Sequence, residues 1–478
     1  MEYPESLPVT VLDRYPKVDE ARVDADLAEA LAGLGRKIVV LDDDPTGVQT
    51  VHHVPVYTDW RPQTLLEAFS EDCPMFFILT NSRAFTAAET GGVHRELANR
   101  IADAAAQTGR DFIVISRSDS TLRGHYPLET ETLREGLEAL TEKRFQGEIV
   151  IPFFLEGGRY TFDNIHYVRE GDRLVPAGNT EFARDKSFGY SASHLGAWCE
   201  EKTHGRFPAG QMLFLSVEEL RAMDYDAVAE KLLSTRGFNK IIVNAVDYVD
   251  VKLFAVALAR AIRAGGEYLI RGAAAIAKVL GGVPDRPLLR GEELTDPANP
   301  NGGIVLIGSH VNRTTRQMER LRDCAAPLEW IEFNQHLILS PGGLAPEVER
   351  VVALCDSAVR AGKTAVVYTR RDRLDLGKDD PEGQLRISVE ISSAVTSIIR
   401  KISARPRFLI AKGGITSSDV GVKALGVRRA EVIGQVAPGV PVWMTGPESK
   451  YPGLPYVIFP GNVGSDDTLL EIVSLLAD

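Results

Sequence analysis

The sequence predicts an α/β protein of two domains, each a mostly parallel sheet flanked by helices, with a ligand cleft between them. Three observations carry that prediction. At 478 residues the chain exceeds one ordinary domain of roughly 100–200 residues. Short, continuously apolar runs alternate with longer stretches of helical periodicity, the rhythm of βαβ units. Residues 281–303 are rich in proline and glycine, lack either periodicity, and interrupt the rhythm once.

In the first half the apolar runs are 37–41 (KIVVL), 75–79 (MFFIL), 112–115 (FIVI), 148–151 (EIVI) and 240–243 (KIIV). Their unbroken apolar character is that of strands covered on both faces. Residues 91–108 and 128–144 carry apolar residues at three- and four-residue spacing and read as helices. Past the interruption, runs recur at 304–307, 364–368, 408–411, 441–444 and 456–459. The division that follows is an N-terminal extension (1–36), a first domain (37–282), a linker (283–302) and a second domain (303–478). Residues 153–209 fit neither rhythm and read as a long functional excursion.

Composition narrows the function classes. Apolar residues make up 44% and charged residues 25%, which excludes extended disorder, collagen-like repeats and disulfide scaffolds. A balance of 54 basic against 66 acidic residues, −12 net, argues against nucleic acid or an anionic membrane as the main partner. Local arginines and backbone N–H groups can still hold a small anion. Cys73, Cys199, Cys324 and Cys355 are widely spaced, with no CxxC, and read as free thiols of a reducing compartment. The acidic, proline-punctuated start does not resemble a signal peptide, and no window approaches 18 uninterrupted apolar residues. The expected location is cytoplasmic.

Ligands of open α/β sheets bind beyond the carboxyl ends of the strands, and the unusual polar clusters fall there. Asp42-Asp43-Asp44-Pro45-Thr46-Gly47 follows the first strand. Adjacent carboxylates repel one another and call for a cation or a proton-transfer task; a solvated turn capping a helix would use the same residues. Thr80-Asn81-Ser82-Arg83 leaves the second strand. In Ser116-Arg117-Ser118-Asp119-Ser120-Thr121-Leu122-Arg123-Gly124-His125, seven of ten side chains are hydroxyl, Asp or Arg. That density suits a hydroxylated carboxylate, Arg holding the acid while Asp and Ser take the hydroxyls. His166 also sits in a polar cluster, whereas His52-His53 read as ordinary strand or loop residues.

The second half ends its strands on glycine instead: Gly308-Ser309-His310, Lys412-Gly413-Gly414-Ile415-Thr416-Ser417, and the turn from Pro460 through Gly461 and Asn462 to Gly464. Glycines let N–H groups approach a phosphate, and a following helix N-terminus favours its charge. Neither GxxxxGK[ST] nor GxGxxG is present in its proper context. The residues alone therefore suggest one half for a polar organic substrate and one for a nucleotide.

These motifs resemble those of the four-carbon acid sugar kinase family, formerly a domain of unknown function. The resemblance lies in Asp43-Asp44-Pro45-Thr46-Gly47, in Arg117 to His125 with its DSTLRG core, in Gly308-Ser309 and in Gly413-Gly414-Ile415-Thr416-Ser417, and extends over about residues 37 to 470. It implies a first domain binding a sugar acid and a second binding ATP with Mg²⁺. The γ-phosphoryl group would pass to the terminal hydroxyl of threonate, erythronate or 3-oxo-tetronate. By the same resemblance Ser309, Gly413, Gly414, Ile415, Thr416 and Gly461 contact ATP. Asp43, Asp44, Arg83, Asp119 and Arg123 face the acid, with Thr46, Ser120 and Arg159 beside them; no metal ligand is assigned. One of Asp43 and Asp44 would take the hydroxyl proton, Arg123 or Arg83 would clamp the carboxylate, and domain closure would expel water. Pro45, Val48, Arg117, His125 and Ile415 depart from the commoner family pattern, which bears on the acceptor more than on the reaction.

Two other readings compete. Asp42-Asp43-Asp44-Pro45-Thr46 also fits DxDxT, the nucleophile motif of haloacid-dehalogenase-like phosphatases, with Asp42 as nucleophile, Asp44 as acid/base and Gly464-Ser465-Asp466-Asp467 as the acidic partner. A non-enzymatic, two-lobed protein closing on a sugar acid would need similar strand ends. ATP dependence separates both from a kinase. Each is compatible with a homo-oligomer whose partners are small molecules.

Overall fold

The structure, a computed structural model, describes residues 5–372, 374, 381–461 and 463–477, the side chains of 381–386 excepted. The chain forms two compact units: Met1–Gly47 with Asp59–Asp285, and Val48–Thr58 with Arg286–Asp478. Each has a mostly parallel sheet flanked by helices, the class its sequence predicts.

In the first unit the sheet runs in the order Leu213–Leu215, Asn239–Val243, Gly147–Ile151, Tyr268–Gly272, Phe112–Arg117, Lys37–Asp42, Met75–Leu79, every pairing parallel. The five predicted runs are all strands within two residues of their expected ends. Tyr268–Gly272, between two of them, was not predicted. Its YLIRG sequence is short and carries a charge, and Arg271 is nevertheless buried with its cation over the rings of Tyr126 and Trp198. The predicted helix at 91–108 extends back to Ala87, where Thr86 and Glu89 make a capping box, and stops at left-handed Gly109. The helix at 128 ends at Leu140, not 144. Thr141 is extended there, and Arg144 folds back to donate to the carbonyl oxygens of Glu138, Thr141 and Lys143.

The excursion contains an antiparallel meander, Arg159–Phe162, Ile165–Glu170 and Arg173–Pro176, with Leu7–Pro8 added at its edge. Behind it the helix Leu195–Lys202 buries Trp198 and Cys199 against Tyr126 and Leu122.

The second unit orders its strands Val54–Tyr57, Arg429–Ala437, Val440–Thr445, Pro455–Phe459, Leu409–Lys412, Ile304–Ile307, Thr364–Thr369, Leu328–Phe333. The last five are parallel and the first three antiparallel. Val54–Tyr57 pairs with Arg429–Ala437 although the sequence places it in the first half; a four-residue strand whose partner lies far along the chain leaves no local signal. Within 283–302, Leu289 and Leu294 are buried in the core of the second unit and the Leu289 N–H donates to Gln435 O (2.8 Å).

All four cysteines are free thiols. Among the described residues no helix is long and apolar enough to cross a membrane.

Candidate functional site

In the first unit three neighbouring strands release their chains at one level, with Asp42 in register with both Arg117 and Leu79. The acid run is therefore gripped from both sides. Arg117 Nη1 lies 3.0 Å from Asp42 Oδ1 and 3.4 Å from Asp43 Oδ1. From the other neighbour, Arg83 donates to both oxygens of Asp43 (2.6 and 3.1 Å) and to Asp44 Oδ2 (3.3 Å). Thr46 donates to Asp44 Oδ1 through its N–H (2.8 Å) and its hydroxyl (2.5 Å). A Cβ on Gly47 would collide with the Asp42 carboxylate, so glycine is required where the turn folds over it.

Burial and pairing divide the three acids. Burial pushes the Asp42 carboxyl up to about 7, with Arg117 only partly offsetting it. Asp43 is also raised by burial, against the pull of Arg83 and Arg117. Asp44 falls below the usual carboxylate range: burial raises it, but Arg83, Arg117 and the Thr46 hydrogen bonds outweigh burial. The side chains of Asp42 and Asp43 are 2% and 3% exposed, and that of Asp44 is 20% exposed. Of the three acids, Asp44 is the one open to a ligand.

The DSTLRG segment forms the adjoining loop. Asp119 accepts from Thr121 Oγ1 and from Arg123 Nε (2.7 Å). Burial raises its carboxyl, but Arg83 and Arg123 hold it far below its ordinary value. The excursion fastens this loop from behind. His166 Nε2 donates to Ser120 O (2.7 Å), which makes Nδ1 the acceptor from Thr161 Oγ1 (2.9 Å), and Tyr190 OH donates to Thr121 O (2.7 Å). Burial lowers His166 to about 4, so its ring is a neutral strut. Arg123 and Arg159 both lie over the Phe182 ring, 5.1 and 5.5 Å from its centroid. Arg83, Arg117 and Arg123 are each ion-paired, whereas Arg159 has no carboxylate partner among the described residues. A cavity of about 590 Å³ adjoins the loop, lined by Arg83, Phe85, Gly124, His125, Phe188 and Lys202 among others.

The second unit presents a different surface. Gly308, Gly413 and Gly461 each follow a parallel strand, and their turns converge. A Cβ on Gly308 would strike Thr416 Oγ1, and one on Gly461 would lie 2.8 Å from Ser309 Oγ. Gly413 has φ +125°, a conformation that excludes a side chain. Thr314 Oγ1 lies 3.1 Å from both Ser309 Oγ and Gly461 O, stitching two of the turns. Two cations stand behind them. Lys412 is fully buried, donates to Pro460 O (3.0 Å) and sits 3.5 Å from the Phe459 centroid; burial brings its ammonium down to about 7. Arg371 donates to Ser309 O (2.7 Å) and Thr315 Oγ1 (2.8 Å). Neither cation has a carboxylate partner among the described residues. A cavity of about 310 Å³ opens beside Gly308, His310, Thr369, Ile415 and Thr416.

The predicted residues thus fall into separate groups. Asp43, Asp44, Thr46 and Arg83 meet in one lattice, and Asp119, Ser120 and Arg123 share the adjoining loop. Ser309, Gly413, Thr416 and Gly461 meet in the second unit, with Gly414 and the 67%-exposed Ile415 on the helix that begins there. Asn462 lies outside the described residues. Sequence reasoning passed over Arg371 and gave no role to Lys412, though both follow an apolar run as the chosen residues do. It gave no sign of the Ser82–Glu129 hydrogen bond (2.7 Å) or of the bracing by Tyr190. For the phosphatase reading, Asp42 is buried against Arg117, and Asp466 and Asp467 pair with Arg316 (2.9 Å) and Arg320 (2.6 Å). Among the described residues no three His, Cys, Asp or Glu side chains are placed to hold a metal ion.

Comparison with known proteins agrees with this partition. Residues 38–280 match a sugar-binding N-terminal domain and residues 304–469 a nucleotide-binding C-terminal domain. The chain belongs to the four-carbon acid sugar kinase family. A 3-oxo-tetronate kinase of Cupriavidus necator is 28% identical over 244 residues, 48% of this chain and 53% of that protein. The match therefore spans about half of that curated relative. Two solved structures share the fold of this family member. One, from Salmonella typhimurium LT2, has a TM-score of 0.65 at 15% identity, covering 91% of this chain and 98% of that one. The other, a Haemophilus influenzae DUF1537 protein, has a TM-score of 0.61 at 18% identity, covering 92% and 100%.

Proposed function

We propose that the protein is an ATP-dependent kinase that phosphorylates the terminal hydroxyl of a four-carbon sugar acid. The observation that carries this reading is the meeting of three glycine turns beside Arg371 and Lys412, neither of which has a carboxylate partner among the described residues. That is a cradle for a polyphosphate.

Backbone N–H groups around Gly308, Ser309, Gly413, Gly414 and Thr416, with Gly461 alongside, would hold the phosphates, Arg371 would supply fixed positive charge, and Lys412 would be held protonated by the bound phosphates. Mg²⁺ commonly reaches such sites on the nucleotide, with one or two carboxylates at most. When bound, the ion neutralises charge on the transferring group.

The acid would lie in the first unit. Arg159, which has no carboxylate partner among the described residues, is better suited than Arg123 or Arg83 to clamp the substrate carboxylate, because those two already neutralise Asp119, Asp43 and Asp44. Ser120 and Asp119 would take the hydroxyls. Asp44 is the base, since of the three acids it alone is both ionised and open, and Thr46 orients it. Its lowered pKa suits a reaction in which positioning the nucleophile counts for more than pulling off its proton. The four free thiols fit a reducing, cytoplasmic setting.

The test is an ADP-release assay with Mg-ATP against 3-oxo-tetronate and the D and L forms of threonate and erythronate. Release with one acid alone is the expected result. Silence with the whole panel, from protein that binds ATP, would overturn the choice of acceptor; ATP-independent binding of an acid would favour a non-enzymatic role.

A further inference from the structure

Glu129 is a buried acid with no part in the transfer described above. It stands in the first turn of the helix Leu128–Leu140 and is 2% exposed. Its Oε1 accepts from Ser82 Oγ (2.7 Å), and it has no cation partner among the described residues. The turn Ser82–Ala84, the loop 118–125 and the helix Ala87–Thr108, which pack around it, are described throughout. Its Oε2 accepts no hydrogen bond from them. Unlike Glu148 Oε1, which is buried without a donor, this oxygen stays open to solvent. A helix N-terminus offsets part of the cost of a buried carboxylate, but an oxygen without a donor remains costly.

Gly124 shows where that oxygen points. A Cβ on Gly124 would lie 3.9 Å from Glu129 Oε2 and 3.6 Å from Asp43 Oδ2, with nothing else but its chain neighbours within 4 Å. The missing side chain leaves a gap between two carboxylates, and Gly124 is itself a wall of the cavity of about 590 Å³. Asp43 is already engaged there, since both its oxygens accept from Arg83 (2.6 and 3.1 Å). Arg83 also reaches Asp44 Oδ2 (3.3 Å), so the gap and the open acid flank one guanidinium. Glu129 Oε2 is the acceptor left facing the gap.

We propose that Glu129 Oε2 accepts a hydrogen bond from the C3 hydroxyl of the acid, so that the chain takes 3-hydroxy acids and turns away the 3-oxo acid. The inference rests on the sugar-acid reading above and deepens it by choosing among the acceptors. With the terminal hydroxyl at Asp44, the carbon next to it comes to the adjoining gap, and the C2 hydroxyl falls to Asp119 and Ser120. A hydroxyl donates to a carboxylate. A ketone only accepts, and here it would set acceptor against acceptor where water cannot relieve the mismatch.

The test compares kcat/KM on the full chain, by ADP release with Mg-ATP. The acids are D- and L-threonate, D- and L-erythronate, 3-oxo-tetronate and both enantiomers of 2,4-dihydroxybutanoate, which lacks the C3 hydroxyl. The expected result is one 3-hydroxy acid favoured at least about tenfold over the 3-oxo and the 3-deoxy acids. Glu129→Gln keeps an acceptor for Ser82 and puts an NH₂ group at the gap. In this variant, shown by its melting curve to be folded and with the wild-type KM for ATP, the kcat/KM ratio of 3-oxo to 3-hydroxy acid should rise at least about tenfold. A purely structural role would lower both acids alike. Wild-type turnover of the 3-oxo acid as fast as of the 3-hydroxy acids, or a ratio unmoved in Glu129→Gln, overturns the hydroxyl-reading role while the kinase reading stands. If the variant does not fold, the wild-type comparison decides alone. Silence with every acid overturns both.

Discussion

The two units prepare for anions in opposite ways. In the first, Asp42, Asp43, Asp44 and Asp119 are already laced to Arg83, Arg117 and Arg123, while Arg159 beside the loop has no carboxylate partner among the described residues. In the second, three strand ends open on glycine, and the hydrogen bonds of Lys412 and Arg371 among the described residues go to neutral oxygens. The difference teaches how each ligand is read. A small hydroxylated acid must be told from its isomers, which takes fixed donors and acceptors in a rigid lattice. A triphosphate offers many equivalent oxygens and needs positive charge and close backbone approach.

The sharpest way to break this comparison is at Asp44. Asp44→Asn should lower turnover by about 10²–10⁴-fold in the ADP-release assay while nucleotide affinity and melting temperature stay near wild type. An unchanged turnover would remove Asp44 as base.

Gly308→Ala probes the other unit. Its new methyl group meets Thr416 Oγ1, so ATP affinity should fall at least tenfold, by calorimetry, with the affinity for the acid unaltered. A parallel loss of acid affinity would show that the two sites are not prepared independently.

Arg159→Met should raise KM for the acid about 10–100-fold and leave the Kd for ATP unchanged. If Arg123→Met does this and Arg159→Met does not, the ion-paired arginine is the clamp and the argument from unmatched charge is wrong.

The smallest effect is on stability. The folded-state carboxyl of Asp42 is raised to about 7, so its favourable contribution is complete below about pH 4 and is lost as pH rises to 7. In that window the unfolded chain has released a proton that the folded chain retains. Asp42→Asn should therefore gain on the wild type between pH 5 and pH 8, by on the order of 1 kcal/mol or more in urea melts. A difference that does not change with pH would mean that Asp42 is ionised throughout.

Legibility in the sequence followed the range of the interactions. The runs 75–79 and 304–307 are strands with the bounds their hydropathy predicts, because a strand buried on both faces must be apolar throughout. Tyr268–Gly272 escaped because Arg271, buried by stacking on Tyr126 and Trp198, breaks the pattern that marks such strands. Among the site residues, Asp43, Asp44 and the DSTLRG loop were visible as polar clusters at strand ends. The choice among them was not, since it depends on which arginine each acid meets. The purpose of residues 153–209 was equally hidden: His166 and Tyr190 brace the loop through backbone carbonyls, which leave no trace in residue type.

By itself the sequence determined the alternation of strand and helix, the polar and glycine-rich strand ends, and the family to which they belong. These rest on local periodicity and on residues whose conformational or charge requirements are their own. Tertiary structure alone decided that Val54–Tyr57 joins the second unit, that Asp42 and Asp43 are sealed while Asp44 stays open, and that Arg159 has no carboxylate partner among the described residues. Each of these depends on what lies opposite a residue once distant segments pack. Burial, pairing and hydrogen-bond satisfaction are properties of neighbours in space, and the chain records them only by folding.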